Sequence, residues 1–243
     1  MNIKITIFFY IGLYLLNQLF FVNSLQIDNN KLNNIVTLNK HNFALLKDEI
    51  NDSNVKKCIR DLSKISSESF YVFIDSPGGS VNSGLHFINT LNWYKENNKV
   101  INCIAKKAHS MAFIIFQHCT NRYILSSTVM MQHQMSLSGI DGPFNNLMNY
   151  FDMVKTIGHE IDLNVANRIG ISVEEYKTKI SNDWWLYGNS IITAGVADKM
   201  IIVGCDTELY EISTTKEELV LDIDKDGMLD FKKINLSEDL CPL

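Results

Sequence analysis

Phe70-Tyr-Val-Phe-Ile74 is an unbroken run of aromatic and β-branched residues that leads directly into Asp75-Ser-Pro-Gly-Gly-Ser80. Such a run reads as a strand buried on both faces, the condition of a parallel sheet. Parallel strands need crossover connections. One follows at once, with Val81, Leu85, Ile88 and Leu91 along one helical face. The alternation continues with a strand at Val100–Ala105 and an apolar helix from near Ser110. Short strands are expected at Arg122–Leu125 and Val129–Gln132. A long helix is expected over 144–169, with Phe144, Leu147, Phe151, Val154 and Ile161 in its stripe. Ser172-Val-Glu-Glu175 has the capping-box pattern, Gly195 stops a helix, and Met200–Val203 reads as a last strand. Upstream, Ile35–Leu38 is a short strand candidate. Residues 43–65 carry Phe43, Leu46, Ile50, Val55, Cys58, Ile59 and Leu62 at helical spacing. The sum is an α/β chain of repeated βαβ units.

The chain has 243 residues, enough for one domain with a sizeable core. Its 46% apolar and 20% charged residues exclude a disordered chain. A net charge of −5 with no basic block argues against nucleic acid as a partner. The N-terminus stands apart. Lys4 precedes an apolar stretch to Leu16, Asn17-Gln18 interrupts, and Val22-Asn23-Ser24 offers a small-residue exit. That reads as a signal peptide over 1–24, with a membrane anchor or a bipartite organelle leader as rivals. A polar, Asn-rich spacer over 25–34 follows, then a domain over 35–204 and an acidic extension over 205–243. The expected destination is the secretory pathway, secreted or membrane-associated. Sequons stand at Asn51-Asp-Ser and Asn235-Leu-Ser. None of Cys58, Cys103, Cys119, Cys205 and Cys241 forms a CxxC pair, so a zinc ribbon is not indicated. Cys103 and Cys119 lie in apolar runs and read as packed small hydrophobes.

Four elements carry chemistry. Ser-Pro-Gly-Gly-Ser at 76–80 is a strand-to-helix turn whose glycines also let a backbone approach a ligand closely. Ala108-His-Ser-Met-Ala112 places Ser110 at a helix start, either as a cap or as a nucleophile beside N–H groups that favour negative charge. Met131-Gln-His-Gln134 puts His133 at a strand end. Asn182-Asp-Trp-Trp-Leu186 puts Asp183 just after a helix. Singly, each has a structural explanation.

Together, in this order, they resemble the Clp protease proteolytic subunit family, serine peptidases of the ClpP/crotonase fold. The resemblance covers roughly residues 36–203 and includes Ala194-Gly-Val-Ala-Asp198 near its end. It implies a mostly parallel sheet with a long handle helix. It also implies a serine endopeptidase that uses no cofactor, acts on peptides or proteins and assembles as a homo-oligomer. By motif, Ser110 is the nucleophile, His133 the base and Asp183 the residue that orients the base. The backbone N–H groups of Gly79 and Met111 form the oxyanion hole, while Gly78, Ser80 and Val81 contribute to substrate binding. Family members work with an ATP-driven unfoldase, but this chain carries a leader and no phosphate loop, which argues against that partner. His109 stands where the family has a small residue, and Met135 replaces a common proline.

Rival readings are an inactive peptide-binding scaffold of the same fold, an acyl-CoA enzyme, and a membrane protease of signal-peptide-peptidase type using Lys106 or Lys107 in a Ser-Lys dyad. Asp222-Ile-Asp-Lys-Asp-Gly227-Met-Leu-Asp230 matches the first nine positions of a calcium loop, with Asp222, Asp224, Asp226 and Asp230 as ligands. Its twelfth position is Lys233, not Glu.

Overall fold

The computed structural model describes residues 34–211, 217–223, 229–235 and 241–243. The chain divides into two units, residues 1–36 and 37–243. Of the first unit only residues 34–36 are described, and with them strand β1 (Ile35–Leu38) opens. The proposed leader lies outside the described residues. Among those residues, no helix is long and apolar enough to cross a membrane.

The second unit is built on a six-stranded sheet. Strands β2 (Phe43–Lys47), β3 (Ser69–Ser76), β4 (Val100–His109) and β5 (Asn121–Gln132) lie side by side and parallel. β6 (Trp184–Tyr187) pairs antiparallel with the end of β5, and β7 (Lys199–Met200) pairs parallel with its start. The crossovers are α1 (Asp52–Leu62), α2 (Val81–Glu96) and α3 (Met111–Gln117). Every residue of α3 is buried, as expected of a helix that is apolar all round. It packs on β4 and against α2 and α4 (Phe144–Ile169). α5 (Val173–Ile180) follows, and its N-cap Ser172 Oγ accepts the Glu175 N–H as the capping pattern predicts. α6 (Asn189–Thr193) ends ahead of Gly195, whose φ of 71° is the left-handed conformation expected at a helix stop. Beyond β8 (Ile202–Cys205) come α7 (Thr207–Glu211) and an antiparallel hairpin of β9 (Glu217–Ile223) and β10 (Leu229–Asn235).

Several expectations are corrected. Residues 43–47 are a strand, not the start of a helix, because parallel pairing with β3 buries Ala44 and Leu46 on alternate positions. The helix begins at Asp52, where Asn51 Oδ1 accepts the Asn54 N–H. The two short strands at 122–125 and 129–132 are one strand. Exposed Ser126 and Ser127 break the apolar pattern, but Thr128 spans the gap. Its hydroxyl accepts from Leu125 N–H and donates to the Ala105 carbonyl. Met200–Val203 is divided between β7 and β8 and is not the last strand. Cys103 and Cys119 are buried but are disulfide-bonded, and Cys205 is bonded to Cys241. Cys58 stays a buried thiol whose pKa is pushed up by burial.

α4 is buried only toward its C-terminal end, at Ile161, Val165, Ala166 and Ile169. There the core closes on a charged cluster. The Arg122 guanidinium, 5% exposed, donates to Gln117, to the Gly195 carbonyl and to Asp198. Asp198 also accepts the Arg122 N–H, and Arg168 lies 3.7 Å from it. α3, α4, β5 and the α6–β7 turn thus meet on one ion pair. Burial opposes the Asp198 charge, but the hydrogen bonds and charges of Arg122 and Arg168 outweigh it and hold the carboxyl below the usual range.

Asp198→Ala leaves a buried guanidinium short of its anion and should cost about 3 kcal/mol in urea unfolding. Because the folded pKa of Asp198 is depressed, its contribution is fully present above the ordinary carboxylate pKa. It is lost as pH falls through the folded value, so wild type and variant should converge in stability under acid.

Candidate active site

The carboxyl ends of β3, β4 and β5 are neighbours, and each delivers one piece of the site. Ligand sites of open α/β sheets lie outside these strand ends.

β3 delivers the glycine turn. The buried Ser76 hydroxyl donates to the Asp48 carbonyl and accepts the Gly78 N–H. Gly78 has φ 93° and lies against the next strand end. A Cβ there would stand 2.6 Å from the His109 carbonyl, 2.7 Å from Ser110 Cβ and 3.0 Å from Met111 N. Gly79, at φ 146°, is pressed equally close to Ile50. Ile50 N–H donates to the Gly78 carbonyl, and Ser80 N–H donates to the Ile50 carbonyl. Backbone groups alternate along an extended segment, so the N–H and C=O of Gly79 point the other way. Of the expected substrate-binding residues, Gly78 and Ser80 therefore spend those backbone groups on Ile50, and the Ser80 hydroxyl caps α2. Val81 lines the pocket beside Ser110.

β4 delivers Ser110 in a conformation rare for a residue with a side chain, φ 52° and ψ −121°. Its N–H donates to the Met131 carbonyl at 2.8 Å. Its side chain makes no cap hydrogen bond to α3, which removes the structural explanation for a serine here. β5 delivers His133, one residue past its end. His133 Nε2 lies 2.9 Å from Ser110 Oγ. Ser110 and His133, 23 residues apart in sequence, share one pocket of about 210 Å³. Among the described residues, the N–H groups of Gly79 and Met111 have no acceptor within the chain.

Asp183 is not hydrogen-bonded to His133 and is exposed. It stands one residue before β6. Gln132 is the register partner of Trp184 in the antiparallel β5–β6 pair, so the next pair outward would be His133 and Asp183.

His109 does not line the pocket. It packs edge-on against Trp185 with ring centroids 5.2 Å apart. Its Nε2 is buried without a partner, and burial lowers its pKa. Lys106 and Lys107 lie 3.6 Å and 3.5 Å from Asp75, and neither lines the pocket that holds Ser110. Among the described residues no cluster of His, Cys, Asp or Glu could hold a metal. Asp222 and Asp230 of the expected calcium loop are cross-strand partners in the β9–β10 hairpin, while Asp224, Asp226 and Gly227 lie outside the described residues.

The sequence reading missed the far wall of the pocket, where Gln132, Ile161, Asp162, Lys177 and Ile180 come together. Only Ile161 carried a signal, as a member of the helical stripe.

The sequence profile of the family described as Clp protease matches residues 27–203. The chain belongs to the Clp protease family. Similar proteins include ATP-dependent Clp protease proteolytic subunit 2 of Pseudomonas aeruginosa. It is 28% identical over 157 residues, which cover 64% of this chain and 77% of the relative. The ATP-dependent Clp protease proteolytic subunit of Borrelia garinii subsp. bavariensis is 26% identical over 170 residues, covering 67% and 86%. Subunit 1 of Borreliella burgdorferi matches to the same extent. Membership makes this Clp protease homologue a peptidase of α/β fold with a mostly parallel sheet.

Gly78→Ala should push the β4–α3 junction away from the glycine turn. A displacement of about 1 Å at this junction should lower kcat/KM by roughly 10²-fold. Peptide hydrolysis assayed beside circular dichroism should show lost rate with the fold retained.

Proposed function

We propose that this protein is a serine endopeptidase in which Ser110 is the nucleophile, His133 the general base and Asp183 the residue that orients the imidazole. The observation that carries this reading is the 2.9 Å approach of His133 Nε2 to a serine hydroxyl released from any capping role. The Ser110 hydroxyl attacks the scissile carbonyl as its proton passes to His133. The new oxyanion is met by the N–H groups of Gly79 and Met111. The protonated imidazole then gives its proton to the leaving amine, and water repeats the sequence on the acyl-enzyme. Asp183, at the next position of the β5–β6 register, holds the other imidazole nitrogen once its side chain turns inward. The Gly79 backbone, facing away from Ile50, pairs with the substrate as an added strand.

Two further features fit this reading. Phe144, Met148 and Met153 of α4 are 75%, 42% and 49% exposed, an apolar stretch suited to contact with other copies of the chain. The two disulfides suit an oxidising compartment, in keeping with a secretory leader. A secretory leader would favour work without an ATP-driven unfoldase.

Ser110→Ala should abolish turnover of a fluorogenic peptide by up to ~10⁶-fold, and His133→Ala by a similar factor, since the pair acts as a unit. Asp183→Asn should lower kcat by about 10⁴-fold with KM little changed. Full turnover in Ser110→Ala would remove the assignment, and full turnover in Asp183→Asn would reduce the triad to a dyad.

A further inference from the structure

Gly84 stands inside α2, where neither a turn nor a positive φ calls for a glycine. A glycine within a helix is less favourable than alanine, because it loses more backbone freedom on folding. Packing supplies the reason for it here. Gly84 is buried, and a Cβ on it would fall on the Met111 side chain, overlapping Cγ and Cε and standing 2.8 Å from Sδ. The thioether therefore lies across the bare α-carbon. Met111 is 1% exposed and opens α3, which packs on α2.

This contact also joins the two N–H groups of the oxyanion hole. Gly84 N–H donates to the Ser80 carbonyl, and Ser80 N–H donates to the Ile50 carbonyl. Gly79 thus belongs to the same hydrogen-bonded piece as Gly84. Gly78, in that piece too, lies against the Met111 backbone nitrogen. Two glycines of one segment hold Met111, one at its backbone and one at its side chain.

We propose that Gly84 is a positioning residue for the oxyanion hole, and that the seat it gives the Met111 thioether sets where the Met111 N–H stands relative to the Gly79 N–H. The assignment rests on the serine-endopeptidase reading for what those two donors do. Gly84 does not line the pocket and acts only through Met111.

Kinetics of the full chain on a fluorogenic peptide test it, with circular dichroism recorded beside them. Gly84→Ala should lower kcat about tenfold or more, short of the ~10²–10³-fold that loss of a whole oxyanion donor costs, with KM unchanged. Met111→Ala keeps the N–H but empties the seat, and should lower kcat too. Alanine at both positions removes the collision, so the double variant should be faster than the product of the two single effects. Where Gly84→Ala does not fold, the double variant carries the test. It should be faster than Met111→Ala alone, because its added methyl fills part of the void, and a double variant no faster overturns the proposal. Unchanged kcat in Gly84→Ala, or single effects that simply multiply, also overturns it. So does a rise in KM at constant kcat, the sign of a thioether swung into the pocket that Met111 borders. Each of these results leaves the hydrolase reading intact, whereas a wild type without turnover removes that reading and the positioning role with it.

Discussion

The hydrogen bond from Ser110 N–H to the Met131 carbonyl is the interaction on which the site depends. It fixes the backbone at the point where β4 becomes α3, in a conformation that costs of order 1–3 kcal/mol for a residue with a side chain. Such a conformation persists only where its surroundings enforce it. Here α3 is buried on all sides, so the helix cannot relax away from the sheet. Gly78 closes the other side, at a distance no larger residue could occupy. The strained residue is also the one whose hydroxyl meets an imidazole.

Parallel pairing explains why the parts converge. Three adjacent strands end at one edge of the sheet, and the turn, the serine and the histidine each follow one of those ends. The antiparallel strand β6 then carries Asp183 to the same edge from the opposite direction. The buried end of α4 and helix α5 form the pocket's far wall. The Arg122–Asp198–Arg168 cluster anchors that end of α4 to β5. A remote ion pair thereby supports the pocket wall, although none of its members lines the pocket.

Much of this was legible in the sequence because the signals were local. The run at 70–74, the glycines at 78–79 and the serine cap at 172 each specify their own geometry, and the structure follows them. Pairing was less legible. Residues 43–47 have helical spacing by coincidence, and only the presence of β3 beside them makes them a strand. Ser126 and Ser127 interrupt a strand whose continuity depends on a side chain, Thr128, spanning the gap. The disulfide partners Cys103 and Cys119 are set by the alignment of β4 with the end of α3, which no spacing rule encodes. The same holds for Gln132, Asp162 and Lys177, which come from three elements and share no motif. Ser110 and His133 were legible only as members of an ordered set of motifs, since each alone has an ordinary structural use.

The central claim is that His133 makes the Ser110 hydroxyl a nucleophile. Its most direct test is labelling of the folded protein with a fluorophosphonate, with the adduct located by mass spectrometry. The account predicts one adduct, on Ser110, that disappears in His133→Ala while the other serines stay unmodified. Equal labelling of Ser110 with and without the imidazole, or an adduct on a different serine, would contradict it.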